Sequence, residues 1–278
     1  MSMKRVMFLI VATSFFALTF PGQVFAGAWT THEGGMYNKF QFNYYSATQS
    51  FDRNGKKVDS GGKFEDKNFA YYVEYGLKDN LTLISSIPVK QISNHLDSGE
   101  KTKTTGVGDI DLAVKYRLFK GESAVISVQG LVKIPEAYDK NRALPLGNGQ
   151  YDAEAKLLLG KSLYPLPLYF GLELGYRMRF QAPADEFKLL AELGYSVTDK
   201  LYLRTKVDAT LGAGNSDKGL VVEGNPLLSL DYDLIKLELT AGYRISKTLG
   251  VEFTYTPDIA GKNIAAGRNF QLALFYTF

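Results

Sequence analysis

The chain has 278 residues, of which 45% are apolar, 22% charged and 13% aromatic, and 32 Lys and Arg stand against 29 Asp and Glu. A net charge of +3 argues against a nucleic-acid binder, and this apolar content argues against a disordered chain. Without cysteine there is no disulfide, thiolate metal site or cysteine nucleophile; with only His32 and His95 no histidine-rich metal centre is expected either, so neither metal nor cofactor is predicted.

Residues 1–26 have the form of a secretory signal peptide. Lys4 and Arg5 lead an uncharged run from Val6 to Phe20, which Pro21 and Gly22 break before a cleavage site at Val24-Phe25-Ala26. The apolar run falls short of the roughly 20 residues that span a bilayer as a helix. Residues 27–35, with Trp29 and His32, are expected to be a short periplasmic lead. Residues 36–278 are expected to form one outer-membrane domain.

From residue 36 onward the pattern has a period of two. In Asp109–Leu118, Asp109, Asp111, Lys115 and Arg117 fall on one face, and Ile110, Leu112, Val114, Tyr116 and Leu118 on the other. Leu168–Phe180, Phe187–Val197 and Leu201–Leu211 repeat this alternation. Twelve such segments are predicted, at 36–51, 64–77, 81–93, 107–119, 123–135, 150–163, 167–182, 185–197, 200–212, 229–246, 249–260 and 268–278. The tenth changes phase at Leu234-Ile235, as a bulge would make it do. Pro88 and Pro135 suggest bulges or strand ends. Short connections, such as Lys78-Asp79-Asn80 and Lys247-Thr248, alternate with longer ones at 52–63, 94–106, 136–149 and 212–224. Tyr75, Tyr116, Tyr195 and Tyr243 recur beside short turns on the apolar face, where an interfacial girdle would lie.

A soluble sandwich would also alternate. Strands of about 11–14 residues exceed the usual 5–6 of globular proteins and suit a tilted membrane strand. The final stretch Phe270, Leu272, Leu274, Tyr276 and Phe278 resembles the terminal signal read by the barrel assembly machinery. The predicted fold is therefore all-β: a transmembrane antiparallel up-and-down β-barrel of about 12 strands, exported to the cell outer membrane and surrounded by its lipid.

The charged face then lines the lumen. Phase and strand direction bring Asp109, Asp111, Lys133, Asp152, Glu154, Arg177, Arg179, Lys188 and Asp208 toward a common constriction near the outer mouth, with sign alternating from strand to strand. Such a ladder can tie the wall together or set the selectivity of a narrow passage. Twelve strands lie between eight, which are filled by side chains, and sixteen, which leave an open channel. A passive channel for small solutes is the expected function. The alternatives are a structural or adhesion barrel, or an outer-membrane hydrolase using His95 with Asp109, Asp111, Ser93 or Ser98; no catalytic residue is assigned.

The run Gly106-Val107-Gly108-Asp109-Ile110-Asp111-Leu112-Ala113-Val114-Lys115-Tyr116 resembles the signature strand of a bacterial outer-membrane family labelled MetA-pathway of phenol degradation, or simply transporter. Leu144-Pro145-Leu146-Gly147-Asn148-Gly149 is similar to that family's Pro-x-Gly-x-Gly loop, and Gly261-Lys262-Asn263 to its C-terminal turn. The resemblance implies an outer-membrane barrel and uptake of small, often hydrophobic or aromatic compounds. Gly27 to Gly35 is too short for the long plug of hydrophobic-compound channels, so no plug is expected.

Overall fold

The computed structural model describes residues 27–135, 137–139, 141–181, 183–216 and 225–278. The signal-peptide reading of 1–26 lies outside the described residues. Strand segments follow one another as β1 (Met36–Phe51), β2 (Lys57–Lys78), β3 (Leu81–Leu96), β4 (Lys101–Val107), β5 (Ile110–Lys120), β6 (Ala124–Ile134) and β7 (Asp152–Ser162). They continue as β8 (Leu168–Arg179), β9 (Glu186–Ser196), β10 (Leu201–Gly212), β11 (Asp233–Arg244), β12 (Leu249–Lys262) and β13 (Ile264–Thr277). Apart from β4 and β5, which both pair with β3, sequential neighbours pair antiparallel, and β13 pairs with β1, so the sheet closes. Segments β4 and β5 are two halves of one wall strand. The lower part of β3 pairs with β5 and its upper part with β4, giving twelve staves among the described residues.

Closure leaves no sheet edge that lipid would have to solvate. The distribution of side chains fixes which solvent lies outside. Leu272 is 61% exposed and Phe42 51%, while Lys115 and Glu252 are 1% exposed and Asp152 is 0%. A water-soluble sandwich buries its apolar face; here the charged face is the buried one and the apolar face is turned outward. Tyr75, Tyr116, Tyr195 and Tyr243 are all exposed on that outer face.

The structure departs from the sequence reading in four places. First, the strands are not uniform. β1 and β3 have 16 residues and β2 has 22, against 11 in β6, β7 and β9. The stretches expected as loops at 52–63 and 94–106 are mostly continued strand, so one side of the barrel stands taller than the other. Second, the segment at 107–119 is broken. Ser86 faces Asp111 and Val89 faces Val107, so two residues of β3 oppose three on the other strand. The bulge falls opposite Pro88, which has no N–H to give to a ladder, and Gly108 N donates to the Pro88 carbonyl at 2.9 Å. Third, β11 keeps one phase throughout. The irregularity next to Ile235 comes from an extra residue on the partner, because Ile235 faces Ala260 while Lys236 faces Asp258. Leu234 consequently points inward and packs with Phe51, Ile264 and Ala266. Fourth, the lead does not stay outside the barrel.

Candidate functional site: the charged lumen

Alternation along each strand delivers the charged side chains to the interior, and the antiparallel register sets which of them meet. Lys133 Nζ lies 3.4 Å from Asp109 and 2.9 Å from Asp152. Arg177 Nε lies 2.7 Å from Glu154, and Arg177 and Arg179 reach Asp152 at 3.9 and 3.8 Å. Arg179 also pairs with Glu186. Glu186 holds Lys188 at 2.9 Å, and Lys188 donates to Thr210 at 2.9 Å. The ladder thus runs from β5 to β10 through seven of the nine predicted constriction residues. Asp111 and Asp208 face the same lumen but make no ion pair among the described residues.

A second network lies toward the short-turn end and was not singled out as a site from the sequence. Glu252 accepts from both guanidinium nitrogens of Arg204 at 3.2 and 3.3 Å, from Tyr202 at 2.6 Å, and pairs with Lys39 at 2.6 Å. Arg204 and Lys206 share Glu238, and Lys206 also reaches Glu192 at 3.4 Å. Strand alternation turns these side chains toward the lumen. Their convergence depends on strand pairings that a single sequence does not reveal.

Two chain segments fold into the lumen. At the outer end, Leu144 and Leu146 are buried against Phe64 and Ile92. Tyr138 donates to Asp109 at 2.6 Å, Lys133 to Asn148, and Asn225 to the Pro145 carbonyl at 2.7 Å. Burial, and after it the Asp109 carboxylate, holds the Tyr138 hydroxyl well above the ordinary tyrosine range, so it remains a donor. Gly106 makes room for this cap, since a Cβ there would lie 2.8 Å from Leu146 Cδ1. At the inner end, the lead that was expected to lie free in the periplasm crosses the lumen as a short inner plug. Lys115 donates to the Gly27 carbonyl at 3.0 Å and Ser127 to that of Ala28. Thr31 N donates to Thr82 at 3.0 Å. Trp29 packs edge-on to Tyr169 at 5.9 Å, in a seat left open by Gly160, where a Cβ would meet the indole at 2.4 Å. Beside the lead a cavity of about 530 Å³ opens from the rim at Met36 and Phe278 up to Lys39, Gln41, Arg204 and Lys206.

His95 pairs with Lys63 and Lys101 on the ladder at the outer end of β3, within a strand rather than a loop. It sits on the outer surface of the wall, whereas Asp109 and Asp111 are inside. His95 is therefore not brought together with Asp109 or Asp111. No cluster of three or more His, Asp or Glu able to hold a metal occurs among the described residues.

Residues 26–274 match the model of a family described as "Putative MetA-pathway of phenol degradation". No curated protein matches the chain. Among solved structures, an outer membrane channel from Pseudomonas putida F1 aligns with TM-score 0.76 at 17% identity, covering 92% of this chain and all of that one. The NanC porin aligns with TM-score 0.56 at 8% identity, over 86% of this chain and 98% of its own. The KdgM porin aligns with TM-score 0.51 at 10% identity, over 86% and 99%. At these identities the likeness is one of fold, that of an outer-membrane β-barrel.

Proposed function

This chain belongs to the family described as "Putative MetA-pathway of phenol degradation", and from that premise we propose that the barrel is a passive outer-membrane channel for small solutes. The observation that carries the reading is a charged, inward-facing wall with a cavity opening into it at the inner end. The inner cavity reaches Arg204 and Lys206 above the short-turn end, and further out the Asp109–Lys188 ladder lines the wall up to the underside of the outer cap. Two short inserts, the cap at 144–149 and the lead at 27–31, fold into the outer and inner ends of the lumen. The family label favours small aromatic or hydrophobic solutes. Movement follows a gradient, and catalysis has no part in this reading. The stripe Phe270, Leu272, Leu274, Tyr276 and Phe278 faces outward and supports engagement of the barrel assembly machinery.

Planar-bilayer conductance and liposome swelling test this proposal. Wild-type protein is expected to give small conductance, which rises when residues 144–149 are shortened to a Gly-Ser turn. Arg177→Glu with Arg179→Glu is expected to shift ion selectivity toward cations. If neither wild type nor the shortened cap passes ions or solutes, the ladder serves only the wall, and the barrel is structural.

A further inference from the structure

We infer that the tall side of the wall carries a binding face for the phosphorylated glycolipid of the outer leaflet. The inference rests on the outer-membrane reading, with the long hairpins pointing outward. Strand register maps this surface row by row from β13 through β1, β2 and β3 to β4. One row is Leu272, Phe42, Phe69, Val89 and Val107, wholly apolar. The next toward the hairpins is Phe270, Tyr44, Lys67, Gln91 and Thr105. Above it come Arg268, Ser46, Glu65, Ser93 and Lys103, and then Lys63, His95 and Lys101. Within two residues the face turns from apolar to cationic.

The cations are free to take a ligand. Lys67, Lys101, Lys103 and Arg268 are exposed and make no ion pair among the described residues. Glu65 is the only carboxylate on these rows, and Lys63 occupies it at 2.9 Å. Lys67 lies over the Tyr44 ring at 5.7 Å, which holds its stem against the apolar row below. At the corresponding outer ends of β6, β7 and β8 the exposed outward residues are Val132, Tyr151, Met178 and Phe180, all uncharged. The cationic face is thus local to one side. Four strand spacings separate Arg268 from Lys103, about 19 Å, and successive outward residues on a strand are about 7 Å apart. A face of that size can meet more than one phosphate of a single headgroup while acyl chains run down the Phe42–Phe69–Val89 row. A phospholipid with one phosphate and two chains would use only part of it.

The experiment uses purified, folded mature barrel in detergent, with bound lipid counted by native mass spectrometry. Diphosphoryl lipid A is expected to bind about tenfold or more tightly than its dephosphorylated form or phosphatidylglycerol. The triple variant Lys67→Gln, Lys103→Gln, Arg268→Gln should lose about tenfold or more, while Tyr151→Gln on the short side should change nothing. Heat-modifiable migration checks folding; should the triple variant fail that check, Lys103→Gln alone, on the protruding hairpin, is expected to lose about two- to threefold. Equal binding of phosphorylated and dephosphorylated lipid A, equal binding of phosphatidylglycerol, or variants that bind like wild type would overturn the inference. Bilayer conductance of the same preparations is read separately, so a barrel that binds the lipid but does not conduct, or conducts but does not bind it, tells the two proposals apart.

Discussion

Lys133 stands between Asp109 and Asp152, and Asp152 is fully buried. Removing one partner of a buried ion pair leaves the other charge without compensation, which outweighs the modest net gain from the pair itself. Lys133→Ala should therefore cost about 3 kcal/mol of folding stability in urea titrations of vesicle-embedded protein, at the low end because Arg177 and Arg179 still approach Asp152. Asp208→Asn, which breaks no ion pair among the described residues, should be near neutral. Asp185, between β8 and β9, gives a pH signature. Burial pushes its carboxyl up, but donation from Tyr176 at 2.7 Å, Arg179 N at 2.7 Å and Asn215 at 2.8 Å outweighs this and leaves it below the usual carboxylate range. A depressed folded value means that its stabilisation is complete above the ordinary value near about 4 and is lost as pH falls through the lower one. Hydrogen exchange around residues 183–185 and 213–216 should accelerate only at those acid pH values, and Asp185→Asn should remove the pH dependence.

At the scale of elements, the two faces of a strand should answer differently to the same substitution. Leu112→Arg or Leu272→Arg puts a guanidinium into lipid and should cost about 2–4 kcal/mol, whereas Gln41→Arg, lining the inner cavity, should cost about 1 kcal/mol or less. Equal losses in refolding titrations would invert the faces. By phase alone Ala113 looks like as good a lumen position as Gln41, yet it is 6% exposed, because packing depth is a property of pairing and not of period. That difference marks how far the sequence could be read. Alternation placed the strands, the Tyr75–Tyr243 girdle and seven ladder partners, since a period of two leaves each side chain only one face to occupy. The inward fold of Leu144–Leu146 left no such trace: a loop has no period, and two leucines beside a proline look the same over the mouth as within it. The bulge at Gly108-Asp109 was half legible, because Pro88 announced it from the neighbouring strand. Gly106→Val should dislodge Leu146 and widen the outer end, read as a rise in single-channel conductance.

For the molecule as a whole, nine residues do more than their number suggests. The lead starts β1, and its Trp29 rests on Tyr169 of β8, six staves around a ring of twelve. It is a chord across a hoop. A hoop of staves joined only along their sides is soft toward flattening, because an ellipse keeps every ladder bond at the same length. Lateral pressure in a crowded bilayer acts in that soft direction, and a chord fixed at both walls resists it. The inner cross-section is then braced, and its bore is set by the tie as much as by the strand count. Spin labels at Asn80 and Lys200, on short turns at opposite sides, should report a narrow distance distribution that broadens when residues 27–31 are deleted or when Gly160→Val unseats Trp29. The outer end is spanned by the cap, whose Leu144 and Leu146 leave the β6–β7 side and pack on Phe64 of β2 and Ile92 of β3 while Asn225 holds the Pro145 carbonyl, so a barrel shortened at 144–149 should deform under membrane pressure from the outside inward, as a cup gives at its lip before its base.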